Sequence, residues 1–290
     1  MRGVWAAVLT PVDDDLSPDA ARAIPYYRDL LDNGCDGLNL LGTTGEAMSF
    51  DAAQRMAYME AIASSGLPRE RLMAGAGAAS LTDAVRLTRC AFDCGFAASL
   101  VMPPFFYRDV SDDGIVAFFA ALFARTDPPR GGVLLYNFPR MSIAFHGGLV
   151  ARLLDEFGDV IAGMKDSSND PHLQRDVLAL RPDLLVFPGS ESDLLDAKRR
   201  GVAGCISGSV ALWPRLARAA FALGGEREGA ELRDRRGALA GAPFVPAMRY
   251  LVATQRADPA WERPVPPLLA LNARERRALA EALRPYPLGV

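Results

Sequence analysis

Short apolar segments alternate with amphipathic segments along most of this chain. Eight segments read as strands, at residues 3–9, 37–41, 71–77, 98–102, 132–137, 160–165, 184–189 and 203–208. Helical patterns lie between them, at residues 18–33, 51–65, 82–95, 112–125, 147–156, 169–180 and 191–200. This alternation favours a parallel sheet, and eight repeats predict a closed (β/α)8 TIM barrel. The alternative is an open doubly wound sheet, but the first strand leads into VLTPVDDD rather than into GxGxxG.

The pattern changes after the glycine pair at 224 and 225. Three further helices are predicted, at residues 226–240, 243–256 and 272–284, with the proline-rich segment ERPVPPLL between the last two. No strand is predicted among them. The sequence therefore predicts an α/β barrel domain over residues 1–224 and a C-terminal helical domain over residues 225–290.

Composition excludes several classes of partner. The net charge of -3 provides no basic surface for nucleic acid. No segment approaches the roughly 20 apolar residues of a membrane span, and the short apolar start soon turns acidic, so we expect a cytoplasmic protein. Four cysteines lack CxxC spacing and two histidines lie in predicted loops, so we expect neither a metal nor a cofactor.

Lysine is rare in this chain, and one lysine ends a predicted strand. The 32 Lys and Arg residues are 30 arginines and two lysines, Lys165 and Lys198. Lys165 ends the sixth strand, in GMKDSS, where barrel enzymes carry their active-site groups. Desolvation lowers the pKa of an amine, and a neutral amine can attack a ketone, whereas arginine stays protonated. The position predicts a Schiff-base lysine; a salt-bridged lysine is the alternative.

Two further strand ends carry groups that such chemistry needs. Tyr136 ends the fifth strand, in LLYNFP, and lies beside Lys165 if the two strands pair. A phenol there can transfer protons, unless it only packs on the barrel. The motif GTTGE at residues 42–46 follows the second strand and offers the hydroxyls of Thr43 and Thr44 with a run of backbone N–H groups. Such a turn suits a small carboxylate, with a purely structural turn as the alternative. The three groups together predict a 2-keto acid as ligand.

Seven motifs now point to one family. LTP, GTTGE, PPFFY, YNFP, GMKDSS, PGSE and GCISG have the order and spacing of the dihydrodipicolinate synthase / N-acetylneuraminate lyase family, pyruvate-dependent class I aldolases that the whole chain resembles. The resemblance implies a barrel with a C-terminal helical domain, assembled as a homotetramer. It implies Lys165 as the Schiff-base lysine and Tyr136 as the proton shuttle. Thr43 and Thr44 match the pair that serves the carboxylate of pyruvate and the hydroxyl relay, with Thr44 assigned to catalysis.

Other matching positions concern the second substrate. Gly189 and Ile206 match positions that line the family's pocket. Glu191 stands where sugar-acid lyases keep acidic residues for substrate hydroxyls. Dihydrodipicolinate synthases carry an arginine two residues after the proline of YNxP, for the carboxylate of their aldehyde. Here that position is Met141, and Arg140 stands one residue earlier.

The hydroxyl relay also departs from the synthases. They complete it with a tyrosine from a neighbouring subunit, and in PPFFY that position falls on Phe106 or on Tyr107, depending on the loop alignment. A phenylalanine would interrupt the relay. Together with Met141, this argues against lysine biosynthesis as the role of the chain.

The resemblance and the residues together imply a Schiff-base lyase. It would join pyruvate to an aldehyde in a reversible aldol reaction, or dehydrate a 2-keto acid. Glu191 favours a 2-keto-3-deoxy sugar acid. An aromatic or aliphatic aldehyde is favoured instead by an apolar mouth formed by Phe105, Phe106, Phe138 and Met141, and both readings remain open. Alternatives are a 4-hydroxy-tetrahydrodipicolinate synthase using pyruvate and aspartate semialdehyde, and a non-catalytic 2-keto-acid-binding protein. A metal-dependent aldolase is disfavoured by the two loop histidines.

Overall fold

Eight parallel strands form a nearly closed barrel in the computed structural model, which describes residues 1–286 and Leu288. The strands are β1 (Gly3–Ala7), β2 (Gly37–Leu40), β3 (Leu72–Gly75), β4 (Ala98–Val101), β5 (Val133–Asn137), β6 (Ile161–Asp166), β7 (Leu185–Pro188) and β8 (Gly204–Ser207). Consecutive strands pair from β1 to β7, and β8 pairs with β1. The N–H of Ala203 also donates to the carbonyl of Val186 across 2.8 Å, which joins β8 to β7. The predicted (β/α)8 barrel is confirmed.

Helices connect the strands and continue after the last one. They are α1 (Ala20–Asp32), α2 (Ala52–Ala63), α3 (Leu81–Asp93), α4 (Asp112–Thr126), α5 (Gly147–Phe157), α6 (Pro171–Leu180), α7 (Leu194–Arg199), α8 (Pro214–Arg218), α9 (Glu226–Ala238), α10 (Phe244–Arg256) and α11 (Ala273–Leu283). The last three form the predicted C-terminal helical extension. The boundary at residues 224 and 225 between two separate domains stays a prediction. None of the described helices combines the length and apolar character that crossing a membrane requires.

Side chains of alternate strand residues fill the inside of the barrel, because successive residues of a strand point to opposite faces. This interior cluster includes Trp5, Ala7, Met73, Leu100, Leu134, Tyr136, Phe187 and Ile206. The outer faces of the strands pack against the helices in a separate and larger core. The pairing of β5 with β6 shifts register between Val133 and Leu134, after which Tyr136 lies opposite Lys165. The shift therefore brings the two predicted catalytic residues side by side.

Candidate active site

Lys165 lies inside the barrel at the carboxyl end of β6. Its side chain is buried, with 4% of the residue exposed. Nζ lies 4.4 Å from the centroid of the Tyr136 ring. Within residues 1–286 and 288 it forms neither an ion pair nor a hydrogen bond. The salt-bridged alternative is therefore not observed, and the amine is placed where its charged form is poorly solvated.

The hydroxyl of Tyr136 contacts the first threonine of GTTGE and not the second. Its oxygen lies 3.3 Å from Oγ1 of Thr43. Thr44 is buried, and its side chain lies near the end of β8. A Cβ built on Gly208, the residue after β8, would lie 2.9 Å from Oγ1 of Thr44. The sequence assigned the catalytic role to Thr44. The observed hydroxyl pair is Tyr136 and Thr43, and the catalytic role of Thr44 stays a prediction.

Hydrogen bonds of the residues that follow Tyr136 and Lys165 join the carboxyl ends of β5 and β6. Nδ2 of Asn137 donates to Oδ1 of Asp166 across 2.8 Å, and Nε2 of Gln174 donates to Oδ2 of Asp166 across 3.0 Å. Oδ1 of Asn137 accepts a bond from the N–H of Phe145. Asn137 and Asp166 are fully buried. Since neighbouring strand residues point to opposite faces, this network outside the barrel directs Tyr136 and Lys165 inward.

The GTTGE turn (residues 42–46) presents unused backbone donors. No residue that the structure describes accepts a hydrogen bond from the N–H groups of Thr43, Thr44 or Gly45. The N–H of Glu46 bonds to the carbonyl of Thr43, which closes the turn. Consecutive free N–H groups in a turn form a concave site for an anion. A small carboxylate fits this arrangement.

A buried ion pair anchors the GTTGE turn to the C-terminal helices. Glu46 adopts a left-handed backbone conformation with φ of 53°, and its carboxylate accepts hydrogen bonds from Arg249 on α10 and from the N–H of Val265. Arg249 is fully buried and also donates to the carbonyls of Thr10 and Trp261. Burial lowers the pKa of the Arg249 guanidinium. No local sequence pattern predicts this pair, because the two residues are 203 positions apart in the chain.

An apolar cavity of about 330 Å³ opens beside Tyr136 and Thr43. Its polar lining includes Tyr136, Thr43, Glu46 and Ser49, whereas Lys165 does not line it. The predicted substrate-binding residue Met141 lines it and is half exposed, whereas Arg140 is exposed and does not line it. Most of the remaining lining is apolar and includes Leu41, Ala47, Met48, Leu100, Met102, Phe105, Val245 and Leu268. A larger cavity of about 570 Å³ lies between α1, α8 and the C-terminal helices, and none of the predicted site residues lines it. The smaller cavity is therefore the one that belongs to the site.

The other predicted pocket residues lie at the ends of β7 and β8. Ile206 is fully buried in the interior cluster. Gly189 lies against the loop after β6, where an added Cβ would meet Oγ of Ser167 at 2.1 Å. Glu191 is fully buried, and its two carboxylate oxygens accept hydrogen bonds from Ser207 and Ser209. Its acceptor capacity is thus partly used inside the protein, and its contact with substrate hydroxyls stays a prediction.

The two candidates for the relay tyrosine lie on the surface. Phe106 and Tyr107 are each 73% exposed, and their rings meet edge to face with centroids 5.2 Å apart. Neither residue contacts Thr43 in the single chain. Which of them fills the relay position therefore stays open. Among the described residues there is no group of three or more His, Cys, Asp or Glu side chains that could hold a metal ion.

Known proteins share this sequence and this fold. The model of the dihydrodipicolinate synthetase family matches residues 1–284. A DapA-like lyase of Chloroflexus aurantiacus, itself uncharacterised, is 35% identical over 97% of this chain and 95% of its own. The crystal structure of dihydrodipicolinate synthase from Agrobacterium tumefaciens is 30% identical, with a TM-score of 0.91 over 98% of this chain and 99% of its own. YagE of Escherichia coli K12, solved with pyruvate, shares the fold at 23% identity, with a TM-score of 0.89 over 100% and 99% of the two chains.

The family match covers almost the whole chain, and the similarity in structure extends over the barrel and the C-terminal helices alike. Both agree with the family that the motifs indicated. The members of this family are lyases and aldolases. The chain belongs to the dihydrodipicolinate synthetase family.

Proposed function

We propose that this protein is a lyase that forms a Schiff base between Lys165 and a 2-keto acid, with pyruvate as the simplest such substrate. The observation that carries the proposal is the amine of Lys165, which is buried in the barrel without an ion pair among the described residues. Burial without a counter-ion leaves the charged form of this amine poorly solvated. In its neutral form the nitrogen of Lys165 is a nucleophile for a ketone carbon.

The chemistry follows from the groups around that amine. Nζ of Lys165 adds to the ketone carbon, and a proton passes from the nitrogen to the ketone oxygen to give a carbinolamine. The carbinolamine hydroxyl then takes up a proton and leaves as water, which yields the iminium ion. Tyr136 is placed to supply and remove these protons, because its ring packs beside Nζ and its hydroxyl is linked to Thr43. Removal of a proton from C3 gives the enamine, which forms a carbon–carbon bond with an aldehyde; the reverse steps cleave that bond.

The GTTGE turn supports a 2-keto acid rather than a simple ketone. Its three unused N–H groups lie directly after β2, at the same end of the barrel as Tyr136 and Lys165. Hydrogen bonds to a charged acceptor contribute about 1.5–3 kcal/mol each. A carboxylate held there would orient the neighbouring ketone toward the amine.

The cavity supports an apolar second substrate. Met141, Met102, Phe105 and Val245 border it, and the half-exposed Met141 presents a thioether at its mouth. Arg140 does not line the cavity, so no guanidinium on this loop is placed to bind a second carboxylate. We therefore favour an aliphatic or aromatic aldehyde over aspartate semialdehyde. A 2-keto-3-deoxy sugar acid is the second candidate, because the serine hydroxyls held by Glu191 lie at the end of β8.

A screen of 2-keto acids for released pyruvate tests the proposal. The compounds should be 4-hydroxy-2-keto acids, whose C4 becomes the aldehyde carbon, with aliphatic, aromatic and polyhydroxylated substituents on C4. The Lys165→Arg variant is the matched control, since it keeps the positive charge and cannot form an imine. We expect cleavage by the wild-type protein, fastest with apolar substituents, and none by the variant. Equal rates in the two proteins would refute the Schiff-base mechanism.

A further inference from the structure

Two glycines lie at the carboxyl end of β3, on the side of the barrel interior. Met73 on β3 belongs to the interior cluster, and alternate residues of a strand point to the same face, so Gly75 faces inward as well. Gly75 and Gly77 both line the apolar cavity of about 330 Å³. On the neighbouring strand β4, the corresponding interior positions are filled by Leu100 and Met102. Two absent side chains therefore leave space for the cavity beside β4.

The backbone requires glycine at position 75 but not at position 77. A Cβ built on Gly75 would lie 2.3 Å from the carbonyl oxygen of Leu41, which excludes any side chain there. A Cβ built on Gly77 would meet side chains first, with Cβ of Met102 at 3.0 Å and Cε of Met48 at 3.7 Å. Gly77 does not adopt a positive φ. Glycine at position 77 thus keeps room open between two methionines, although the backbone conformation does not demand it.

A buried arginine on α2 fixes the glycine segment from outside the barrel. Arg55 is 3% exposed. Its Nη2 donates to the carbonyl of Gly75 across 2.8 Å, and its Nη1 donates to the carbonyl of Gly77 across 3.0 Å. Glycine backbone is conformationally permissive, and these two bonds restrict it. Since Arg55 does not line the cavity, one wall of the cavity is a fixed stretch of backbone without protruding side chains.

Three methionines line the same cavity. Met48 and Met141 are 55% and 49% exposed, whereas Met102 is buried. Methionine side chains adapt their shape, and their sulfur atoms make favourable contacts with aromatic rings. A planar ring lying against the backbone of Gly77 would contact the side chains of Met48 and Met102, which are the nearest ones to that position. The cavity therefore suits an aromatic ring better than a bulky saturated group.

The polar groups of the cavity are poorly placed to bind a sugar chain. Glu46 is bonded to Arg249 and to the N–H of Val265, and the hydroxyls of Tyr136 and Thr43 are linked to each other. A polyhydroxylated substituent would need several further partners in a lining that is mostly apolar. A volume of about 330 Å³ is also at the small end of the range for ligand sites, about 300–1,000 Å³. Both properties favour a compact apolar group.

We propose that this cavity binds the aromatic ring of the aldehyde half of the substrate, between the backbone of Gly77 and the side chains of Met48 and Met102. The inference rests on the function proposed above and names its substrate class, a 4-hydroxy-2-keto acid that carries a single aromatic ring on the C4 side. Gly77 is then a specificity-determining residue. Tyr136 connects the two parts of the site, because its residue lines the cavity and its ring centroid lies 4.4 Å from Nζ of Lys165.

Cleavage of such a substrate releases the aromatic aldehyde. In the iminium ion on Lys165, the C4 hydroxyl loses its proton and the C3–C4 bond breaks. C4 becomes the aldehyde carbon, and the bonding electrons move to the iminium group to form the enamine. The enamine takes up a proton at C3, and water then hydrolyses the imine to release pyruvate and the free amine.

The test measures kcat/KM for pyruvate release from three 4-hydroxy-2-keto acids, which carry a benzyl, a cyclohexylmethyl or a methyl group on C4. Neither ring is conjugated with the aldehyde that is released, so the two ring compounds differ mainly in the planarity and the π system of the ring. We expect the wild-type protein to favour the benzyl compound over the cyclohexylmethyl compound at least about threefold, the effect of two sulfur–aromatic contacts. Equal values, or a higher value for the cyclohexylmethyl compound, would overturn the inference.

Two variants test the residues, and one is the control. Gly77→Ala places a methyl group between Met48 and Met102, and it should lower kcat/KM about tenfold more for the benzyl compound than for the methyl compound. Met48→Leu removes a sulfur at similar volume, and it should reduce the preference for the benzyl compound. Gly237→Ala is the matched control, because a Cβ at Gly237 on α9 would meet nothing within 4 Å and lies outside the cavity.

The control should keep the wild-type preferences. If Gly77→Ala lowers kcat/KM equally for the benzyl and methyl compounds, the role of Gly77 is wrong. Should Gly77→Ala fail to fold, Met48→Leu decides the question, and an unchanged preference in that variant would overturn the inference.

The two proposals fail in different ways. Borohydride is added to the wild-type protein with pyruvate in a parallel experiment, and the mass of the protein is measured. Trapped pyruvate without any preference for the benzyl compound would overturn this inference alone. Preferred cleavage of the benzyl compound without a trapped adduct would overturn the Schiff base and still support the ring site. A wild-type protein that neither cleaves the three compounds nor forms an adduct would overturn both.

Discussion

A single amine lies inside the barrel of a chain that carries 30 of its 32 basic side chains as arginine. Arginine could supply charge at position 165, but its guanidinium cannot lose a proton at neutral pH. The strand-end positions of Lys165 and Tyr136 were enough to predict that the two residues lie side by side inside the barrel. Which of Thr43 and Thr44 contacts Tyr136 was not predictable, because adjacent residues of a turn point in directions that depend on its exact dihedral angles.

At the residue scale, the contact between Tyr136 and Thr43 predicts different effects for the two threonines. Tyr136→Phe keeps the ring beside Nζ and removes the hydroxyl, so turnover should fall about 100-fold or more. Thr43→Val should slow turnover for the same reason, while Thr44→Val should affect it less. Steady-state rates of pyruvate release are the measurement. A larger loss in Thr44→Val than in Thr43→Val would contradict this expectation and support the catalytic role of Thr44 that the sequence predicts.

At the scale of elements, strands and helices followed the hydrophobic pattern closely, since each barrel strand is buried on both faces and each helix on one. The contacts between distant elements did not follow from the hydrophobic pattern. Glu46 and Arg249 lie on a turn after β2 and on α10, and Glu191 is held by serines near β8. Such pairs depend on how elements pack together, and a local sequence pattern does not identify the partner residue. The turn that we propose binds substrate is thus stabilised by a helix outside the barrel.

The buried pair of Glu46 and Arg249 predicts a large loss of stability when one partner is removed. Arg249→Met leaves the carboxylate of Glu46 buried without its counter-ion, so the free energy of unfolding should fall by about 3–5 kcal/mol. Urea unfolding provides the measurement. Arg152→Ala is the control, because the ion pair of Arg152 with Asp113 is exposed and screened by water, so its loss should change the free energy of unfolding little. A loss in Arg249→Met as small as in the control would contradict this account.

At the scale of the whole molecule, buried thiols predict how stability depends on alkaline pH. Burial raises the pKa of the Cys35 thiol from 9.0 to about 12, and burial also raises the pKa of the Cys205 thiol well above its ordinary value. In the unfolded chain these thiols ionise near their ordinary pKa. Their contribution is complete below pH 9 and is lost as the pH rises toward 12, because only the unfolded state then releases protons. The free energy of unfolding should therefore decrease over this interval.

Urea unfolding at several pH values between 8 and about 11 checks this dependence, with a slope near 1.4 kcal/mol per pH unit for each ionising thiol. Cys35→Ala is the control variant, and its slope should be smaller by about that amount. A wild-type protein whose stability is constant or rises over this range would contradict the burial of these thiols.

The oligomeric state of the chain is also a property of the whole molecule. Phe106 and Tyr107 expose two large rings beside the mouth of the barrel, and we propose that a second copy of the chain covers them within the homotetramer that the family resemblance implies. Light scattering should give the mass of a tetramer. The double variant Phe106→Ser, Tyr107→Ser should form smaller species, whereas an unchanged mass would place the interface elsewhere.

The central claim is a covalent bond between Lys165 and a 2-keto acid. Its most direct test is reduction of the protein with borohydride in the presence of pyruvate, followed by mass spectrometry of the peptides. We predict a mass increase of one reduced pyruvate adduct on the peptide that contains Lys165, and no adduct in the Lys165→Arg variant. An unmodified Lys165 peptide, or an adduct found on Lys198 instead, would contradict the account.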